Sequence, residues 1–399
     1  MPEKRKTHTL DLLILETMMN SKNNEITFPV GYHKFHKKQF FNFQLNRWHS
    51  IGQARYEDML EAGRNIKKYE DWKPEMIRIA EEAVCEDRLM NAAIYYRSAE
   101  FYTLYQDPDK ELLYGEFSQL FYRAFEDDHV QRFEVAYGDA YLPAIRVAPV
   151  GEKRGTIVLH GGYDSFLEEW YLMLKYLAYA GYEAIGFEGP GQGAALIKAG
   201  LAMDIRWEKP TSAILDYFNL DDVTLFGLSM GGWLCLRAAA FEPRIKRVVA
   251  SGHAINYMEI VPAAIGWMFE FFMKYENLFN KSAYWKMEKN PRMQWEIGNT
   301  MRITKSKTPV EGAQLNLSLS RENMCADQIK QDVLLLSGEN DHLIPVRLHP
   351  RQVDALVHAE SVTDRIFTRE DHAQNHCQVG NIGLALDTMV QWIEGKSVS

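Results

Sequence analysis

The sequence predicts an α/β fold: a mostly parallel sheet with helices on both faces, preceded by a helical domain and interrupted by a helical insertion. Three observations predict it. Five short β-branched or apolar runs each lead into glycine: "GTIVLHGGYDS", "YEAIGFEGPGQG", "DVTLFGLSMGG", "RIKRVVASGHA" and "QDVLLLSGENDHLIP". Helical patterns separate the earlier runs, over Leu167 to Ala180, Thr211 to Phe218 and Gly232 to Phe241. Strands that alternate with helices form parallel units covered on both sides. Before residue 130 the apolar residues recur at helical spacing instead.

In chain order, the helical region (1–130) contains "YEDMLEAGRNIKKY", "KPEMIRIAEEAVCEDRLMNAAIYYRSAEFY" and "ELLYGEFSQLFYRAF". Asp71 with Pro74 marks a helix start, and Pro108 marks the next junction. The one strand pattern expected here is short, near Ile26 to Val30. The stretch "YHKFHKKQFFNFQLNRWH" mixes basic and aromatic residues, as an RNA platform does, but in an acidic chain a half-buried helix or loop face is the better reading. His33 and His36 have no third ligand in view, so no metal is expected.

The catalytic region is read as 131–399. It opens with "RFEVAYGDAYLPAIRVAPV", which alternates around a Gly-Asp turn and predicts a hairpin. The insertion, about 255–332, is rich in Met, Trp, Phe and Tyr and has no clear strand pattern. A segment of that length at the edge of a sheet is expected to be a lid, the alternative being a helical decoration. The Met-Trp-Phe richness fits plain core or an aromatic pocket wall. The final helix is expected over Asn381 to Glu394.

Composition narrows the function classes. The chain has 399 residues, 46% hydrophobic and 25% charged, with a net charge of −9. That balance supports a packed core and argues against a partner held mainly through phosphates. The four cysteines, Cys85, Cys235, Cys325 and Cys377, form no CxxC pair, so a reducing compartment is expected. The runs at Leu12 to Leu15 and Ile260 to Phe272 are too short to span a bilayer. These features predict a cytoplasmic protein with no membrane insertion and no nucleic-acid partner.

The chemistry centres on Ser229 in Gly227-Leu228-Ser229-Met230-Gly231, a G-x-S-x-G turn between a buried strand and a helix. Glycines on both sides permit the sharp turn that lifts the hydroxyl above the sheet. The N–H of Met230 and the start of the helix then face a developing oxyanion. A serine nucleophile needs a base and a group to orient it. Asp341, past the strand end at Ser337-Gly338, is the candidate acid, with Glu339 as the alternative. In "EDHAQNHCQVGN", His376 is the candidate base. His372 reads as a substrate contact or a surface residue, and His342 as structural. The second oxyanion donor is expected from "LHGGYDS", at Gly162 or Tyr163. "FEGPGQG" lacks the spacing of a phosphate loop and reads as a tight turn.

At these residues the chain resembles the α/β-hydrolases, in the branch of the FrsA-like esterases and 2,6-dihydroxypseudooxynicotine hydrolase. It is most similar to fungal yellowish-green pigment hydrolases, which shorten polyketides in melanin synthesis, and to their bacterial anthraquinone-pathway counterpart. The resemblance rests on Gly162-Tyr163-Asp164-Ser165, "FEGPGQG", Gly-Leu-Ser-Met-Gly-Gly, "GENDHLIP" and "NHCQVGN" and covers most of the chain. Glu188 stands where many relatives have Asp. The resemblance implies hydrolysis of a carbon–carbon bond next to a ketone, a triad of Ser229, Asp341 and His376, and substrate contacts from Asp164 and Glu259. It implies an aromatic polyketide or β-diketone as the small-molecule substrate, a role in secondary metabolism, a homodimer, and no cofactor or metal. The readings that compete are a carboxylesterase using the same triad and a non-catalytic binding protein with a vestigial site. Whether Ser229 attacks directly or activates water is open at this level.

Overall fold

The computed structural model describes residues 26–397; the basic start at Lys4 to Lys6 and the apolar run at Leu12 to Leu15 lie outside them. The chain begins with helices α1 (Gln39–Ser50), α2 (Tyr56–Asn65), α3 (Trp72–Cys85), α4 (Leu89–Tyr102) and α5 (Asp109–Ala124). The start of α3 follows from local chemistry. The Asp71 carboxylate accepts from the N–H groups of Lys67 and Lys68 at 2.9 and 3.0 Å, and Pro74 needs no hydrogen-bond acceptor in the first turn. The indole of Trp72 is buried and donates to the Ser98 carbonyl at 2.7 Å, which locks α3 onto α4.

The expected strand at Ile26 to Val30 is absent; the segment forms neither strand nor helix. A strand needs a ladder partner, and the neighbouring Gly31 N–H finds a single carbonyl, that of Gly380. What fixes the segment is Phe28, buried beside the ring of Tyr176.

The sheet strands are β1 (Gln131–Tyr137), β2 (Ala140–Val147), β3 (Gly155–His160), β4 (Tyr182–Phe187), β5 (Val223–Leu228), β6 (Ile245–Ser251), β7 (Asp332–Gly338) and β8 (Ser361–Phe367). Their spatial order is β1-β2-β4-β3-β5-β6-β7-β8. The β1–β2 hairpin is antiparallel, as its alternation predicts, and β2 pairs antiparallel with β4; every other pairing is parallel. Helices α6 (Tyr171–Tyr179), α7 (Gly193–Ile197), α8 (Glu208–Tyr217) and α9 (Met230–Ala239) come between these strands; α6, α8 and α9 lie close to the predicted positions, and the short α7 is not among the predicted helices. The insertion supplies α10 (Ala263–Met273), α11 (Glu276–Lys289), α12 (Pro291–Thr304), α13 (Pro309–Ser318) and α14 (Arg321–Met324). Helices α15 (His349–Ala355) and α16 (Ile382–Ser397) flank β8.

Strand residues divide by parity between two cores. Ile157, Leu159, Leu334 and Leu336 face one side, together with Leu174 of α6, Met389 of α16 and the buried residues of α1 to α5. Val158, Val333 and Leu335 face the other, with Ile214 of α8 and Leu234 of α9. The N-terminal helices therefore share one continuous core with a face of the sheet.

A buried ionic network reinforces that junction. Arg97 of α4 is 1% exposed; its Nε donates to Glu169 at 2.7 Å, and its Nη1 pairs with Glu100. Lys110 of α5 pairs with Glu100 at 2.9 Å, and Arg47 of α1 pairs with Glu169 at 2.5 Å. Arg302 of α12 approaches Glu100 at 3.6 Å, which brings the insertion into the same cluster. Buried charges are tolerable only when paired in this way, because an unpaired one has lost its hydration without replacement.

Candidate active site

The loops at the C-terminal ends of β3, β5, β7 and β8 converge on one point. Ser229, between β5 and α9, has φ 59° and ψ −127°, a strained conformation costing about 1–3 kcal/mol. The flanking glycines make the turn possible. A Cβ on Gly227 would lie 2.0 Å from the Gly231 carbonyl oxygen, and one on Gly231 would lie 2.5 Å from that of Gly161. The Ser229 N–H is anchored to the Ser251 carbonyl at 2.8 Å.

The hydroxyl is 2.8 Å from Nε2 of His376, and Nδ1 of His376 is 2.7 Å from Oδ2 of Asp341. The second oxygen of Asp341 accepts from the N–H groups of Leu343 and Ile344, both at 2.8 Å. The turn presenting His376 continues through Cys377 and Gln378, both at positive φ. Buried Gln378 holds it in place by accepting from the Ser251 hydroxyl at 2.7 Å. Glu339 is directed elsewhere: its carboxylate accepts from the Arg369 N–H at 2.9 Å. Such a relay can draw the serine proton onto Nε2 while Asp341 holds the proton on Nδ1.

Burial works to lower the proton affinity of His376. The Asp341 carboxylate and then the Cys377 thiol outweigh it, so its pKa stands well above the ordinary histidine value of 6.5. A protonated Nε2 cannot accept from Ser229. We expect the acid limb of a pH profile for Ser229 reactivity to have its midpoint above about 6.5. The sign for stability is opposite. A raised folded-state value contributes stability that is fully present below 6.5 and lost as pH rises through the folded value. A limb at or below 6.5, read from labelling rates with a serine-directed probe, would contradict the Asp341 contact.

Oxyanion donors are available from two loops. The Met230 N–H lies at the start of α9. Gly162 packs so close that a Cβ there would be 2.8 Å from the Met230 nitrogen. The Gly162 N–H is occupied, donating to the Ser165 hydroxyl at 3.3 Å. Among the described residues the Tyr163 N–H has no hydrogen-bond partner, so of the two expected candidates it is the one whose N–H is free. The Tyr163 side chain reaches the insertion and bonds the Thr300 hydroxyl.

The relay opens into a cavity of about 550 Å³. Its walls include Phe40, Phe43 and Arg47 of α1, Phe101 and Tyr102 of α4, and Arg292 and Trp295 of α12. The insertion is tied across it: the Trp295 indole donates to the Phe101 carbonyl at 2.6 Å, and Arg292 lies over the Phe40 ring. The half-buried reading of the basic-aromatic stretch thus becomes specific, since one face of α1 is cavity wall. Phe40, Phe43, Arg47 and Ile51 recur at helical spacing, a stripe that could have suggested a shared face. His342 also lines the cavity; burial, then the charge of His376, pushes it down to about 4, so it is neutral there.

Of the expected substrate contacts, Asp164 lines the cavity, 3.8 Å from Arg47. Burial raises its carboxyl above the usual range, and Arg47 and Arg97 oppose that rise. Two others require correction. Glu259 is not part of the wall; its carboxylate pairs with Arg351 at 2.5 Å, outside the cavity. His372 is exposed and away from the wall, because the turn after β8 carries it to the surface before returning with His376. Among the described residues no group of three or more potential ligands could hold a metal ion, and no helix is long and apolar enough to cross a membrane.

Comparison with known proteins identifies the fold family. A family model described as alpha/beta hydrolase fold matches residues 157–373. Hydrolase LUC6 from a Fusarium species is 27% identical over 358 residues, covering 76% of this chain and 83% of the relative. The 20-hydroxy-prefusarin hydrolase FUS2 of Gibberella moniliformis is 28% identical over 355 residues, with the same coverage. Among solved structures, 2,6-dihydroxy-pseudo-oxynicotine hydrolase superposes with a TM-score of 0.61 at 21% identity, covering 87% of this chain and 94% of that one. AbyA5 superposes with a TM-score of 0.66 at 19% identity, covering 88% and 94%.

Proposed function

The chain belongs to the alpha/beta hydrolase fold family, and we propose that it is a serine hydrolase cleaving a carbon–carbon bond next to a ketone, shortening the acyl side chain of an aromatic polyketide or related β-diketone. The observation that carries this reading is the Ser229–His376–Asp341 chain of contacts, at 2.8 and 2.7 Å, opening into a cavity walled by aromatic side chains. The similarity to a 20-hydroxy-prefusarin hydrolase supports a secondary metabolite as substrate. The helical insertion serves as the lid of the cavity.

In this mechanism Ser229 Oγ attacks the ketone carbon and its proton passes to His376 Nε2. The oxyanion accepts from the N–H groups of Met230 and Tyr163. Collapse breaks the bond to the neighbouring carbon, whose electron pair is stabilised as an enolate or phenolate and takes the proton back from His376. Water, deprotonated by His376, then releases the acyl group from Ser229 as a carboxylic acid. A cavity of about 550 Å³ lies within the usual range for sites that enclose a small molecule.

The test is mass spectrometry of products after incubation with an acylated naphthopyrone beside a short p-nitrophenyl ester. The expected result is loss of an acyl fragment from the polyketide. Turnover of the ester alone would leave an ordinary carboxylesterase. With neither turned over and Ser229 unreactive to a fluorophosphonate, the protein would be a binding module with a vestigial site.

A further inference from the structure

We infer that Gln192, in the Gly189-Pro190-Gly191-Gln192-Gly193 loop after β4, is the positioning residue of the oxyanion hole. The inference rests on the serine-hydrolase reading above. Gln192 is 1% exposed, so every polar atom of its amide requires a partner within the protein. Its Nε2 donates to the carbonyls of both Gly161 and Gly162, at 2.8 Å each. Its Oε1 accepts from the Gly189 N–H at 3.0 Å. This pattern sets which end of the amide faces the "LHGGYDS" loop, because only the nitrogen can serve two carbonyls.

The consequence lies in the peptide joining Gly162 to Tyr163. Its carbonyl is the one Gln192 holds, and its N–H is the unpartnered donor of Tyr163. Among the described residues no peptide bond is cis. In a trans peptide the C=O and N–H point to opposite sides of one rigid plane. Pulling the Gly162 oxygen toward Gln192 therefore turns the Tyr163 N–H away from Gln192, toward the space beside Met230 and Ser229. The rest of the loop is held from other directions: Ser165 Oγ accepts from the Gly162 N–H, and Arg97 Nη2 donates to the Asp164 carbonyl at 2.5 Å. Among the described residues Gln192 alone hydrogen-bonds the peptide that carries the donor. The glycines around it let the loop lie close beneath; a Cβ on Gly189 would sit 2.2 Å from the Trp207 ring.

A residue that aims an oxyanion donor alters the reaction rate and leaves ground-state binding unchanged. The experiment follows phosphonylation of Ser229 by an alkyl fluorophosphonate, whose P=O oxygen occupies the same hole. The maximal rate and the half-saturating concentration are measured for wild type, Gln192→Met and Gln192→Glu. Methionine has similar size and no donor. Glutamate keeps the acceptor for Gly189 and loses the amide donor, so it separates the loop's own fold from its grip on Gly162. The expected result is a maximal rate lower by about 10- to 100-fold in both variants and a half-saturating concentration within twofold, with a lowered melting temperature, because both variants leave the Gly161 and Gly162 carbonyls unpaired in the interior. A maximal rate within threefold of wild type in both variants overturns the inference. So does a half-saturating concentration that rises in step with the loss of rate, which marks a merely structural residue. Failure of the wild type itself to be labelled overturns the serine-hydrolase reading, and this inference with it.

Discussion

Ser229→Ala is expected to lose turnover by about 10⁴- to 10⁶-fold with its fold intact. The serine supplies the only atom in the relay that can form the covalent intermediate. Its removal creates no buried charge, and the backbone geometry at φ 59° is set by the Ser251 carbonyl and the flanking glycines. Alanine at that φ carries the same strain as serine, so the melting temperature should change little. Residual activity would come from Met230, Tyr163 and substrate confinement alone. Product formation by the variant at more than about one per cent of the wild-type rate would mean that water, not Oγ, is the nucleophile.

Asp341→Asn is expected to cost about 10⁴-fold, although it changes a single atom. One carboxylate oxygen is committed to the N–H groups of Leu343 and Ile344. An asparagine keeps those bonds only by placing its carbonyl there. Its NH2 then faces Nδ1 of His376 and donates to it. The imidazole proton is driven to Nε2, where it points at Ser229 and cannot accept the serine proton. The same change removes the charge that raises His376, so the acid limb should move down in pH. Glu339→Gln serves as the control and should stay within about threefold of wild type, since that carboxylate bonds the Arg369 N–H instead. If Glu339→Gln is severe while Asp341→Asn is mild, the orienting acid has been assigned to the wrong residue.

Much of this architecture is legible from local pattern. Each of the five glycine-ended apolar runs became a strand, because its continuous β-branched or apolar character suits burial on both faces. Ser229 and Asp341 are legible from the turns that follow their strands, and His376 from its place just ahead of the final helix; the structure brings the three side chains within hydrogen-bond distance. Glu259 rests on the resemblance alone, and its carboxylate pairs with Arg351 instead; His372 takes the surface alternative, because the turn after β8 carries it outward. The walls were less legible still. Phe43 and Arg47 face the reacting groups only because α1 packs across the sheet at one rotation, a tertiary fact with no short-range signature. Gln192 read as part of a tight turn, and its amide acquires meaning only against the two carbonyls of a loop about thirty residues earlier.

Part of the cavity wall comes from stretches far from the relay in the chain, residues 39–51, 101–102 and 292–319, while the rest is the relay itself and the loops that carry it, among them Ser229, His342 and His376. The outer part of the wall can therefore vary independently of the reacting groups, although the inner part cannot. Substitutions in those three stretches can change which molecules are admitted while the reacting groups are inherited unaltered.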